Sequence, residues 1–174
     1  MKKRALLLGM LLMGMLCSRV ALCADAQTND EKAIRALNQR FHAAFKAKDV
    51  NAIMSVYVPD ESLVVFDVIP PRQYVGAKAY RKDFEDFVAA FPGPMEYEIT
   101  DLSITASGTL GFSHRIDTLV LTDKEGKRVN LVARVTDVYR KSKGKWLIIH
   151  EHVSVPVDLA TGKPDVLSKM SQRC

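Results

Sequence analysis

The sequence predicts an α+β domain in which one curved antiparallel sheet wraps three N-terminal helices. Three observations carry this. Two early segments repeat apolar residues at helical spacing, with a short capped helix between them. Four long β-type runs then follow with no further helical pattern. Short turns join those runs, which makes an antiparallel meander of them. Helices first and sheet afterwards is the α+β order. A curved sheet over helices leaves a cavity against its concave face, a common place for a ligand.

The chain has 174 residues. Lys2-Lys3-Arg4 precede an apolar run from Ala5 to Leu16, and small residues follow. Residues 1–24 therefore read as a secretory signal peptide, cleaved after residue 24 or 26. A membrane anchor would need about 20 apolar residues, and Arg19 interrupts the run. Leu16 and Leu22 stand before Cys17 and Cys23, where a lipid-attachment site would want a small residue. The expected location is periplasmic or secreted, of bacterial type, with no membrane contact after cleavage.

Cleavage changes the charge. The formal charge of +5 becomes +1, because Lys2, Lys3, Arg4 and Arg19 leave and no acid leaves with them. Nothing then points to nucleic acid. Cys174 becomes the sole cysteine, so no internal disulfide is possible. Residues 28–158 read as one domain, and residues 159–174 as a C-terminal tail.

Asp30 to Lys48 carries Ile34, Leu37, Phe41, Ala44 and Phe45 at helical spacing, with Asp30-Glu31 at its positive end. Asp49 caps a second, short helix bearing Ile53, Val56 and Tyr57. Glu61 to Val68 reads as a strand, and Ile69-Pro70-Pro71-Arg72 as a loop. Gly76 precedes a third helix, Ala77 to Phe91, which Pro92-Gly93-Pro94 stops. The four long strands are Met95–Ala106, Leu110–Thr122, Val129–Arg140 and Lys145–Val155.

This order resembles the nuclear transport factor 2-like superfamily of cone-shaped α+β barrels. Phe45-Lys-Ala-Lys-Asp49-Val-Asn-Ala-Ile53 before Tyr57 looks like the opening helix–turn–helix. Asp67, nine residues before Gly76, looks like the pocket-loop spacing. Arg134-Val-Thr136-Asp-Val-Tyr, Gly144-Lys-Trp146 and His150-Glu-His152-Val-Ser154 look like the closing hairpin of the SnoaL-like, ketosteroid-isomerase-homologue branch. The resemblance implies a hydrophobic pocket and a homodimer. Activities in the superfamily differ widely, so it fixes no reaction.

In ketosteroid isomerase a carboxylate base works beside a tyrosine and a protonated aspartic acid. Asp67 matches the base by its strand and its distance to Gly76. The tyrosine's place is taken by Phe41, which has no donor. The aspartic acid falls at about Arg134. Steroid isomerisation is therefore not expected.

Another constellation is. Strand alternation puts Trp146, Ile148, His150, His152 and Ser154 on one face. A three-residue turn at Ser142-Lys-Gly144 would set Arg134 opposite His152 and Thr136 opposite His150. The two histidines would move protons near neutral pH, and Arg134 would hold an anionic or carbonyl group. An alternative has Thr136 and His150 satisfying each other, with Arg134 paired to Glu151 or Asp137 on a dimer surface. His150-x-His152 lacks an assignable third ligand among His42, His114, Asp67 and Asp117, so no metal is expected. No cofactor motif is present.

The expectation is an exported domain that binds a small apolar or anionic ligand. Asp67, His150 and His152 are the candidate catalytic groups. Arg134, Thr136, Trp146, Phe41, Tyr57 and Phe66 are the candidate binding groups. Beyond binding, one of two function classes left open is a cofactor-independent isomerase, cyclase or hydratase, with Asp67 or a histidine moving protons. The alternative is a non-catalytic binding or dimerisation module.

Overall fold

The computed structural model describes residues 28–167. The predicted signal peptide, all three cysteines and the end of the tail lie outside the described residues.

Helix α1 spans Asn29–Lys46. Its N-terminus is a reciprocal cap: Thr28 accepts from the Glu31 amide, and the Glu31 side chain accepts from the Thr28 amide. Ile34, Leu37, Phe41 and Ala44 form its buried stripe. Asp49 caps the short α2, Val50–Met54, by accepting from the Ala52 amide. Strands β1 (Val64–Phe66) and β2 (Tyr74–Val75) form a small hairpin before α3, Ala77–Ala90. Strands β3 (Glu96–Ser107), β4 (Leu110–Thr122), β5 (Arg128–Ser142) and β6 (Lys145–Ser154) form the meander.

The sheet order is β2-β1-β6-β5-β4-β3. The meander pairs are antiparallel, whereas β1 lies parallel to β6. The strand expected over Glu61–Val68 is shorter at both ends, because Glu61 and Ser62 form a turn and the ladder ends at Phe66; the two-residue β2 was not expected.

Two irregularities shape the concave face. At β3 the pairing with β4 slips between Thr100 and Ser103, where Asp101 takes φ 53°. At the β5–β6 hairpin the turn has two residues, Lys143 and Gly144, both with positive φ, so Ser142 pairs with Lys145. The ladder then runs Lys141 to Trp146 and Tyr139 to Ile148. It next jumps to Val138 with His150, leaving Ile149 as the extra residue of a bulge.

That bulge overturns the expected face. Trp146 and Ile148 point inward, but beyond Ile149 the parity reverses, and Glu151 is the buried residue. His152 pairs with Thr136, and Arg134 with Ser154. His152, Thr136 and Arg134 are exposed on the convex face, beside the half-buried His150.

Aromatic and aliphatic side chains from the helices and the concave face fill the core, among them Leu37, Phe41, Tyr57, Phe84, Tyr139 and Ile148. Each such burial contributes about 1.5–3 kcal/mol relative to exposure.

Candidate functional site

The core does not fill the cone. A cavity of about 580 Å³ remains between α1, α3 and the concave sheet. Phe41, Phe45, Phe84, Phe87, Leu119 and Leu121 supply its apolar wall. Its polar groups include Asp67, Tyr80, Tyr97, Arg115, Asp117 and Glu151. Pro164 and Val166 also line it. They arrive because residues after β6 fold back: the Val132 amide donates to the Val166 carbonyl, and the Asp165 amide to the Pro156 carbonyl.

The alternation of β4 sends Ser113, Arg115 and Asp117 inward, in line with Leu119 and Leu121. Arg115 is 3% exposed. Its Nε donates to Asp117 Oδ1 at 3.0 Å, and its Nη1 to Asp137 Oδ2 and to Asn38 Oδ1. Its Nη2 makes no hydrogen bond among the described residues and stands 3.8 Å from Glu151 Oε2. Burial works against its charge, but Asp137, Asp117 and their neighbours outweigh that, so Arg115 stays a cation.

Glu151 is 2% exposed and sits directly opposite Asp137 across β5 and β6. Tyr80 donates to its Oε1 at 2.7 Å, and Tyr57 to its Oε2 at 3.0 Å. Burial, and then the neighbouring Asp137 carboxylate, push Glu151 well above the usual carboxylate range. Three carboxyls, Asp117, Asp137 and Glu151, share one guanidinium, so full ionisation would leave uncompensated buried charge. Burial also raises Asp117.

Asp67 stands where β1 ends. Its Oδ1 accepts from the Val68 amide, and its Oδ2 lies 3.3 Å from the Tyr80 hydroxyl. Burial first, then Asp83, raise it above the ordinary aspartate value. The phenols of Tyr57, Tyr80 and Tyr97 are pushed up by burial and stay protonated as donors. The arrangement therefore offers one desolvated carboxyl, one cationic donor and one buried carboxyl shifted toward its neutral form around an apolar chamber. A group of this kind can move a proton on a carbon or oxygen acid without a cofactor.

Of the sequence-predicted residues, Asp67 and Phe41 line the cavity. Tyr57 lies behind the polar groups, bonded to Glu151. Trp146 is buried elsewhere, donating to Asp30 beside the start of α1. Phe66 is 39% exposed and packs edge-on against His150 and His152. These two histidines, Arg134 and Thr136 therefore do not reach the chamber. His150 Nδ1 is tied to the Val64 carbonyl at 2.8 Å.

The site groups Arg115, Asp117, Tyr80, Tyr97, Asp137 and Glu151 are not expected together from the sequence: Asp117 enters there only as a candidate metal ligand, and Asp137 and Glu151 only as partners of Arg134 on a dimer surface. A signal existed for Arg115 and Asp117, which share parity with Leu119 and Leu121. The opposite parity, Phe112, Ile116 and Val120, is equally apolar, so β4 alone does not say which side is inside.

Fold and cavity together define a class: a cone-shaped α+β protein with a partly charged pocket on the concave face of one sheet. Residues 34–158 match the SnoaL-like domain model, and the chain belongs to that family, within the nuclear transport factor 2-like proteins. A nuclear transport factor 2-like protein of unknown function from Pseudomonas putida KT2440 is 32% identical. That match covers 81% of this chain and 96% of the other, with a TM-score of 0.73. A proposed calcium/calmodulin-dependent protein kinase II association domain from Xanthomonas campestris is 26% identical, over 75% and 89% of the two chains, at TM-score 0.63. A proposed scytalone dehydratase from Novosphingobium aromaticivorans DSM 12444 shares the fold at 16% identity, over 71% and 82%, at TM-score 0.62. No curated protein matches the sequence.

Proposed function

We propose that the chain binds a small, largely apolar carbonyl compound in this cavity and moves a proton on it without a cofactor, as an isomerase, cyclase or dehydratase does. In this reading Asp67 takes the proton from the carbon beside the carbonyl. Arg115 Nη2 receives the carbonyl oxygen as negative charge develops there. The observation that carries the reading is the pairing of those two groups on one apolar chamber: Asp67 is a desolvated carboxyl, and Arg115 has a spare donor nitrogen. Arg115 already faces three carboxyls, so it suits a neutral carbonyl better than the anionic ligand expected at Arg134.

The reading keeps export, with a signal peptide removed from residues 1–24, and a homodimer formed through the convex face. Support for the dimer is the exposure of Leu110 and Phe112 there, at 56% and 47%. A second reading, a non-catalytic association module, draws support from the 26%-identical Xanthomonas campestris relative, described as an association domain.

The test is native mass spectrometry of the mature protein from its own host, with release and identification of any retained molecule. A stoichiometric apolar ketone or aldehyde, absent from the Leu119→Trp variant, supports the pocket reading. A folded dimer that retains nothing and binds no member of a ketone library favours the association module.

A further inference from the structure

One oxygen is out of place in this core. Asp137 is fully buried, and its Oδ2 is crowded with donors: Arg115 Nη1, the Tyr139 hydroxyl at 2.8 Å and the Ser113 hydroxyl at 3.4 Å. Its Oδ1 is buried with no hydrogen-bond partner among the described residues. An orphaned buried acceptor calls for a donor. The residue opposite it across the ladder is Glu151, in side-chain contact with it. An ionised Glu151 is an acceptor only, already met by phenol donors, so it gives Asp137 nothing. A neutral Glu151 does: its own proton completes the Asp137 oxygen.

The second observation is the position of Tyr80. Its hydroxyl lies 2.7 Å from Glu151 Oε1 and 3.3 Å from Asp67 Oδ2. One hydroxyl carries one proton, so it donates to only one of these carboxyls at a time.

We infer that Glu151 keeps a proton directed at the orphaned Asp137 oxygen behind the site, and that Tyr80 couples Glu151 to Asp67 by turning its O–H between the two. When Asp67 is ionised, Tyr80 donates to Asp67 Oδ2. When Asp67 has taken a proton, that proton is donated to the Tyr80 oxygen and the Tyr80 O–H turns to Glu151 Oε1. The turn of the Tyr80 O–H forms and breaks no covalent bond; the proton on Asp67 is the one taken from the ligand carbon, a C–H bond exchanged for an O–H bond, and Glu151 keeps its own proton in both states. Tyr80 and Glu151 are thus positioning residues: they give Asp67 a satisfied partner before and after it acts. The inference rests on Asp67 being the base of the proposed reaction.

Other charged groups around Asp67 and Glu151 fit this count. From α3, Asp83 faces Asp67 and is itself held by the Tyr74 hydroxyl at 2.7 Å. From β4, Arg115 and Asp117 flank the pair, and from α2's exit Tyr57 donates to Glu151.

The experiment is carboxyl carbon-13 NMR on the mature protein labelled at Asp and Glu, titrated without ligand. At pH 7 one Glu resonance is expected at the protonated position, and Glu151→Gln removes that resonance alone. The same variant leaves the Asp67 midpoint in place, because a neutral amide replaces a neutral acid. Tyr80→Phe raises the Asp67 midpoint by about one pH unit, since a hydrogen bond to the charged form is lost. An ionised Glu151 at pH 7 in the wild-type protein overturns the inference, whether or not the variants fold. So does a folded Tyr80→Phe protein with an unmoved Asp67 midpoint. The readout needs no substrate, so a failed ligand search leaves it standing, and its own failure leaves the cavity reading standing.

Discussion

Arg115 on β4 and Asp137 on β5 form an ion pair in which the side chains are 2% and 0% exposed. It joins the two central strands of the meander on the face that bounds the cavity. Desolvating two charges is costly, and the pair is retained with every Arg115 nitrogen but Nη2 bonded. Removing the guanidinium would strand Asp137 and Asp117 in the core. Arg115→Ala is therefore expected to cost about 3–5 kcal/mol, or to prevent folding. Urea unfolding followed by circular dichroism measures it, and a loss below about 1 kcal/mol would mean that the carboxyls find other partners.

Stability is expected to fall as pH rises above the carboxylate range. Burial holds Glu151 well above its unfolded value, and Asp67 and Asp117 shift the same way. Between the unfolded and folded values the native state binds more protons than the unfolded chain. The slope of unfolding free energy with pH is then negative. The stability is fully present below the unfolded values and is lost as pH passes the folded ones. Urea midpoints from pH 5 to 9 should decline, and Glu151→Gln should flatten the decline. A rising profile over that range would contradict the assignment.

The convex-face residues are expected to be silent in ligand binding. Arg134→Ala and His152→Ala should bind a neutral apolar dye such as Nile red within about twofold of wild type, because both side chains are exposed away from the cavity. Leu119→Trp should abolish dye binding by filling the chamber. Fluorescence titration distinguishes these, and a large loss in His152→Ala would put the histidine back in the site.

Gly111 is fixed by the closeness of α1 to β4. A Cβ there would meet Ile34 Cδ1 at 2.9 Å and the Thr105 carbonyl oxygen at 3.1 Å. The isoleucine tip can move, but the backbone oxygen has little room. Gly111→Ala should cost about 1–3 kcal/mol as overpacking, read from the thermal midpoint.

Most of the fold was legible because its elements carry strong periods and punctuation. The α1 stripe, the Asp49 cap, Gly76 before α3 and the bounds of β4 were all readable. Asp67 was legible as a pocket carboxyl only through the family resemblance of its spacing to Gly76. The histidine face was not, because its parity depends on one bulged residue, Ile149, that no local pattern marks. Lys143 also takes a left-handed conformation usually left to Gly or Asn, which shortens the turn by one residue. These two events decide that Glu151, not His150 or His152, faces the interior. The ion cluster was hidden for a related reason. Arg115, Asp137 and Glu151 come from three strands, and only their register brings them together.

The most direct test of the central claim is hydrogen exchange on carbon. Small apolar ketones, including any molecule released from the native protein, are incubated with the protein in deuterium oxide and followed by proton NMR. The expected result is protein-dependent deuterium uptake beside the carbonyl, lost in Asp67→Asn while dye binding persists. A ligand that binds the cavity stoichiometrically yet shows no exchange above solvent, or equal exchange with Asp67→Asn, would contradict the assignment of Asp67 as the base.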